Sequence, residues 1–160
     1  MTFSNEEIRR RYERLGCVAH VMALNASHRT HKIFGLAVWA EQAIAHEQIE
    51  IFFMNGEPVG YFMWALLTPE VADKAFRVGR PIHPSEWNEG ELLWVVDASI
   101  PAGSLPIYGP KIRARLARIS DNFFWAKKRN KDLRIFNKNI LTGLSRVIRQ
   151  VGNPDRNILL

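Results

Sequence analysis

Apolar residues near the start of the chain recur every three or four positions, which is the spacing of an amphipathic helix. The pattern begins after residues 4–7, whose S-x-x-E form is that of a capping box, and extends to Met22. Gly16 weakens the centre of this helix, so two shorter pieces are a second interpretation. Residues 25–30 are polar and predict a loop, after which a second helix is predicted over about residues 33–48.

Beyond residue 48 the pattern changes to short apolar runs separated by turn signals, which predicts strands. The N-G-E-P turn signal at 55–58 predicts a hairpin of strands 49–54 and 59–67. The later predicted elements are a helix to about 78, a loop over 79–90, a strand over 92–99, a loop over 100–110, a basic helix over 111–120, and a hairpin of 122–126 and 133–137. The stretch from about 140 is weakly patterned. This order predicts an α+β fold, with helices packed on a mixed, mostly antiparallel sheet of about five strands.

Length and composition limit the class of protein. The 160 residues fit a single domain over residues 1–160, and 47% hydrophobic with 24% charged residues excludes global disorder. The apolar runs are much shorter than the about 20 residues that cross a bilayer, and the first residues lack the apolar core of a secretory signal. The single cysteine, Cys17, excludes an internal disulfide. We therefore expect a cytoplasmic protein without stable membrane insertion.

Charge is distributed unevenly along the chain. Residues 1–100 contain 9 basic and 13 acidic side chains, whereas residues 101–160 contain 13 basic and 3 acidic ones. The net charge of +6 therefore comes from the last part of the chain. Such a segment attracts nucleic acid, an anionic membrane surface or an acidic protein, and composition does not choose among them.

Several side chains were considered for chemistry. His28 and His31 form an H-x-x-H pair, but flanking cations and the lack of a third ligand disfavour a metal site, so no metal is expected. Cys17 has apolar neighbours, which favours packing over a catalytic thiol. Ser27 lacks the G-x-S-x-G elbow of a serine nucleophile, and neither a Walker nor a Rossmann pattern is present. We therefore expect no bound cofactor.

Asp97 is the only acid in the strand predicted over residues 92–99. A carboxylate in an apolar strand must be paired, hydrogen-bonded or neutral, because burying an isolated charge is costly. One interpretation is a structural aspartate that holds loop amides. The other is an acid that orients a histidine and stabilises its charged form, and His28 in the polar loop is the natural partner.

Three segments of the chain together match a known family. They are L-G-C-V at 15–18 leading to N-A-S-H-R at 25–29, P-V-G-Y-F-M-W-A at 58–65, and W-V-V-D at 94–97 followed by Pro101 and Gly103. In order and spacing over about residues 15–103 they resemble the RTX toxin-activating lysine acyltransferases, the hemolysin-C-like proteins. The chain departs from the family at Ala98-Ser99-Ile100, where better-known members have Trp and Ile before Ala-Pro, and its C-terminal part shows little similarity.

The resemblance implies a fold related to the GCN5-type N-acyltransferases. It also implies transfer of a fatty acyl group from acyl carrier protein to internal lysine ε-amines of a protoxin, in the cytoplasm and by a homodimer. The essential histidine and aspartate of the family fall on His28 and Asp97. Asn25 stands where a serine is common upstream of the histidine, so we expect it at the substrate site.

The substrate itself suggests two further sets of residues. An acyl chain needs an apolar groove, and Trp64 and Trp94 are candidate walls, with ordinary core packing as the alternative. Acyl carrier protein is acidic, so a cationic surface would steer it. The candidate docking residues are Lys111, Arg113, Arg115 and Arg118, with a solvated helix face as the alternative.

Two other functions were weighed against this one. The first is a non-catalytic nucleic-acid-binding protein that uses residues 101–160, although these lack an RNP-type motif, and no nucleic-acid partner is expected. The second is an acyl-CoA-dependent N-acetyltransferase of the same fold. The chain lacks the Q/R-x-x-G-x-G/A loop of acyl-CoA enzymes, which favours a carrier-protein donor.

Overall fold

The computed structural model describes residues 4–25, 34–129 and 132–151. Within them the elements are α1 (Asn5–Leu24), a π-helical turn (Leu36–Ala40) leading into α2 (Glu41–Ala45), β1 (Ile49–Met54), β2 (Glu57–Leu67), α3 (Pro69–Asp73) with a π-helical turn (Lys74–Val78), a 3-10 turn (Pro84–Glu86), β3 (Leu92–Ser99), α4 (Leu105–Leu116), β4 (Asn122–Arg129), β5 (Asp132–Asn139) and β6 (Ser145–Val151).

The strands form one mixed six-stranded sheet in the order β1-β2-β3-β4-β5-β6. Strands β3 and β4 are parallel, with Trp94 opposite Phe124. The pairs β1–β2, β4–β5 and β5–β6 are antiparallel. The predicted α+β class with a mixed, mostly antiparallel sheet is confirmed.

Helix α1 starts at the predicted capping box. The Ser4 backbone N–H donates to Glu7 Oε2 at 2.7 Å, and the Glu7 N–H donates to Ser4 Oγ at 3.2 Å. These reciprocal bonds satisfy two of the amides that a helix start leaves without partners. The helix continues without a break through the exposed Gly16, so the interpretation as two shorter helices is wrong.

The β1–β2 hairpin follows from its turn. Asn55 and Gly56 both have positive φ, 53° and 85°, as a two-residue hairpin turn requires. The register then places Ile51 opposite Tyr61 and Ile49 opposite Met63. The predicted hairpin is therefore confirmed.

The chain divides into two compact units, and the first comprises residues 1–64 and 97–108. Its core contains Val18 and Val21 of α1 and a row of aromatic rings. Phe52 stacks on Tyr108 with ring centroids 4.4 Å apart, and Phe62 stacks on Trp64 at 5.1 Å. Phe62 and Trp64 belong to the same segment of β2 as Tyr61, so close packing restrains the side chains of that segment.

The second unit comprises residues 65–96 and 109–160. Trp94 of β3 lies between two rings, Phe76 at 4.5 Å and Phe124 at 5.3 Å. Trp125 stacks on Phe136 across the β4–β5 pair, with centroids 4.8 Å apart and planes within 9°. Aromatic packing of this kind stabilises cross-strand pairs and aligns the strands on either side.

Two predicted helices have the wrong bounds, and one strand was not predicted. Helix α4 spans Leu105–Leu116 and includes Pro110, whereas the sequence predicted a loop up to Pro110 and a helix over 111–120. Proline fits helical φ, although Pro110 cannot donate to the Pro106 carbonyl and its ring crowds that carbonyl, so it weakens the helix without ending it. The helix predicted over 33–48 is shorter, because the chain turns after Ala45 with Glu47 at a positive φ of 55°. Strand β6 was not predicted, since the sequence from about 140 lacks alternation.

Candidate active site

Asp97 lies near the end of β3, half-buried, and both of its carboxylate oxygens accept hydrogen bonds. Tyr61 donates its hydroxyl to Asp97 Oδ2 at 2.8 Å, and the Ala98 backbone N–H donates to Asp97 Oδ1 at 2.9 Å. Of the three expected states of this carboxylate, paired, hydrogen-bonded or neutral, the structure shows the hydrogen-bonded one. Two donors on two different oxygens restrain the rotation of the carboxylate plane, so the group has a defined orientation.

Tyr61 is completely buried in β2. Burial, and then the neighbouring Asp97 carboxylate, raise the pKa of the Tyr61 hydroxyl far above its usual range. At neutral pH the hydroxyl therefore keeps its proton and acts as a donor.

Asn25 is joined to the same strand two residues beyond Asp97. It caps the C-terminus of α1, and its side-chain Nδ2 donates to the hydroxyl of Ser99 at 2.9 Å. Ser99 is buried. This bond holds the end of α1 beside the end of β3, and the chain enters residues 26–33 from that point.

His28 lies outside the described residues, which stop at Asn25 and resume at Phe34. Its position as the base therefore stays a prediction. Among the predicted site residues that the structure does describe, Asn25 and Asp97 belong to the same unit and are linked through β3.

Close approach of β2 to the end of β3 depends on Gly60. A Cβ atom at this position would lie 2.7 Å from the Ser99 carbonyl oxygen and 3.2 Å from Pro101 Cδ. The first distance is much shorter than a van der Waals contact, and the atom it meets is backbone. Any side chain at residue 60 would therefore displace the strand segment that includes Asp97.

We expect Gly60→Ala to lower the free energy of unfolding by about 1–3 kcal/mol, the usual cost of overpacking a tight site. Gly16→Ala is the matched control, because a Cβ at Gly16 meets nothing within 4 Å. That substitution should stabilise α1 by about 0.5–1 kcal/mol. Urea unfolding of both variants measures the two values, and an equal effect of the two would contradict the close approach.

Trp64 and Trp94 are both buried, at 1% and 4% exposure. Trp64 stacks on Phe62 in the first unit, and Trp94 is enclosed by two rings in the second. Their burial supports the alternative of ordinary core packing. A role as walls of an acyl groove stays a prediction.

The four predicted docking cations do not share one helix face. Lys111 and Arg115 are four residues apart and lie on one side of α4, whereas Arg113 lies on another side. Lys111 and Arg113 are exposed, but Arg115 is half-buried. Arg118, also exposed, follows the end of α4 at Leu116, because the helix is shorter at this end than predicted.

The sequence did not single out Tyr61, Ser99 or Gly60 as site residues. The only sequence signal for Tyr61 was a hydroxyl in the apolar strand β2, and this signal does not identify a partner 36 residues away. Within the described parts of the chain, no group of three His, Cys, Asp or Glu side chains is placed to hold a metal ion. In the same residues, no helix is long and apolar enough to span a membrane.

Comparison with known proteins gives one family and several relatives. The model of the family described as RTX toxin acyltransferase matches residues 8–142. An RTX-II toxin-activating lysine-acyltransferase of Actinobacillus pleuropneumoniae is 27% identical, over 63% of this chain and 63% of its own length. The leukotoxin-activating lysine-acyltransferase of Aggregatibacter actinomycetemcomitans is 29% identical, over 58% of this chain and 55% of its own length. A lysine-acyltransferase of Vibrio cholerae is 22% identical, over 54% of this chain and 59% of its own length. The alignments thus span about three fifths of these relatives.

Proposed function

Because this chain belongs to the RTX toxin acyltransferase family, we propose that it is a protein-lysine fatty acyltransferase. It moves an acyl group from acyl carrier protein to internal lysine ε-amines of an RTX protoxin, in the cytoplasm, and acts as a homodimer. The observation that supports this most directly is the oriented carboxylate of Asp97, hydrogen-bonded on both oxygens and close in sequence to the Asn25–Ser99 link.

The reaction needs a base, since a lysine ammonium group is not a nucleophile. We assign this role to His28, with Asp97 accepting the imidazole N–H and stabilising the imidazolium that forms. The new C–N bond forms as the thioester C–S bond breaks. The ammonium group first loses one proton to solvent and becomes an amine, and the proton that the amine loses on attack passes through His28 to the thiolate of the carrier protein. A transient acyl-imidazole on His28 leads to the same overall balance.

Chain length places a limit on where His28 can lie. His28 is the third residue after Asn25, and three extended residues span at most about 11 Å. Since Asn25 is bonded to Ser99, two residues after Asp97, this reach is compatible with a hydrogen bond between the two proposed partners.

The exposed cations Lys111, Arg113 and Arg118 are the proposed docking residues for acyl carrier protein, which is acidic. Replacing all three by glutamate should raise the KM for the acylated carrier by about tenfold or more at low salt, with a smaller effect at high salt. Steady-state kinetics at several salt concentrations measures this.

The matched control for that variant reverses three other exposed cations of the same unit, Lys127, Arg134 and Arg146. It changes the net charge by the same amount. An equal rise of KM in the control would show a general charge effect, and would contradict docking at the α4 region.

The nucleic-acid alternative receives less support. Proteins that bind single strands stack bases on the free faces of aromatic rings. On β4 and β5, Trp125 and Phe136 stack face to face at 4.8 Å, so those faces are occupied by each other.

The test of the proposed function is acylation of an RTX protoxin by the purified chain, followed by mass spectrometry of its lysines. Acyl carrier protein and coenzyme A, each with the same acyl chain, are compared as donors. We expect acyl-lysine with the carrier-protein donor. Equal or faster transfer from acyl-coenzyme A would favour the N-acetyltransferase-like alternative. Salt-sensitive DNA binding without any transfer would favour the nucleic-acid alternative.

A further inference from the structure

We propose that Tyr61 is a positioning residue of the acyl-transfer site, whose hydroxyl holds the Asp97 carboxylate in the orientation that supports His28. This inference rests on the proposed function. It starts from the 2.8 Å bond between the Tyr61 hydroxyl and Asp97 Oδ2.

The bond from Tyr61 restrains Asp97 in a way that the bond from Ala98 does not, because the Ala98 bond is local. The Ala98 N–H that binds Oδ1 belongs to the next residue of the same strand and moves with it. A donor from a different strand fixes the carboxylate against an independent part of the fold. Tyr61 supplies that donor from β2, a strand held in register with β1.

Tyr61 is suited to this role by its rigidity. Its ring is completely buried, in a stretch of β2 where Phe62, Met63 and Trp64 are buried as well. A tyrosine has only two side-chain torsions, so a packed ring places its hydroxyl at one point. The hydroxyl also keeps its proton, because burial and Asp97 raise the pKa of Tyr61.

The arrangement leaves Asp97 able to serve the reaction. An ionised carboxylate has about four acceptor positions, two on each oxygen. The bonds from Tyr61 and Ala98 use one on each oxygen. These two bonds alone therefore do not exhaust the acceptor capacity of the carboxylate, and the proposed bond from an imidazole N–H does not require either of them to break.

The test is Tyr61→Phe, which keeps the buried ring and removes only the hydroxyl. We expect kcat for acyl transfer to fall by about ten- to a hundredfold, the scale of a small misplacement of a catalytic group, with the KM of both substrates unchanged. Tyr12→Phe is the matched control, since Tyr12 is exposed on α1, and it should leave kcat unchanged.

Combination with Asp97→Asn separates positioning from general stability. If Tyr61 acts only through Asp97, the double variant is no slower than Asp97→Asn alone. Losses that multiply in the double variant would overturn the proposal, as would an unchanged kcat in Tyr61→Phe beside an inactive Asp97→Asn.

A crystal structure of Tyr61→Phe gives a readout that does not depend on activity. We expect the Asp97 side chain to occupy more than one rotamer in the variant and a single one in the wild-type protein. An unchanged single rotamer would overturn the proposal. Absence of acyl transfer by the wild-type protein would mean that the proposed function fails. Failure of the Tyr61 proposal is instead reported by the variants, so the two failures are distinguishable.

Discussion

Replacing His28 by alanine is expected to reduce acyl transfer to the protoxin by about a thousandfold or more, with the fold unchanged. The reason is that a positioned general base contributes about 10²- to 10⁴-fold to a reaction that requires deprotonation of an amine. If His28 also carried the acyl group as a transient acyl-imidazole, the loss of activity would be larger. Single-turnover transfer from acylated carrier protein to protoxin, followed by mass spectrometry, measures the rate.

The matched control is His20→Ala, because His20 is an exposed residue of α1 and alanine suits a helix. It should leave the rate unchanged. Added imidazole should restore part of the activity of His28→Ala, since a free base can then reach the amine. Full activity of His28→Ala would exclude His28 as the base.

Asp97→Asn is expected to cost about a hundredfold or more in kcat, with little change in the KM of either substrate. The Ala98 N–H can only donate, so the amide oxygen must face it, and the amide NH₂ then occupies the place of Oδ2. On that side the variant presents a donor where the carboxylate presented an acceptor. It also lacks the negative charge that stabilises an imidazolium.

The control for Asp97→Asn is Asp121→Asn, which removes the same charge from an exposed position in the turn before β4. Its kcat should equal that of the wild-type protein. A similar loss in both variants, or an unchanged kcat in Asp97→Asn, would contradict the role of Asp97.

The elements that the sequence predicted well are those whose ends are set by local chemistry. The capping box at Ser4 starts α1, and the positive φ angles of Asn55 and Gly56 close the β1–β2 hairpin, so a few adjacent residues suffice. Strand β6 was missed because the interactions that determine it are not local in sequence. Its side chains 145–148 are exposed, and pairing with β5 supplies its backbone hydrogen bonds.

The candidate site shows the same contrast between local and non-local features. Asp97 was singled out because an isolated charge is costly to bury in an apolar strand. Its partner Tyr61 belongs to a different strand, and the sequence does not state which side chains face each other across a sheet. The cations of the proposed docking surface were chosen by charge and by their place on one predicted helix, but helix geometry separates Arg113 from Lys111 and Arg115.

The parallel pairing of β3 with β4 has a consequence for the order of folding. Trp94 and Phe124 are partners 30 residues apart in sequence, with α4 between them. The β1–β2 hairpin and the β4–β5–β6 meander close much shorter loops, and contacts of low sequence separation form faster. We therefore expect β3, the strand that bears Asp97, to be fixed late, so that the Asp97 carboxylate reaches its position only once most of the chain is already folded.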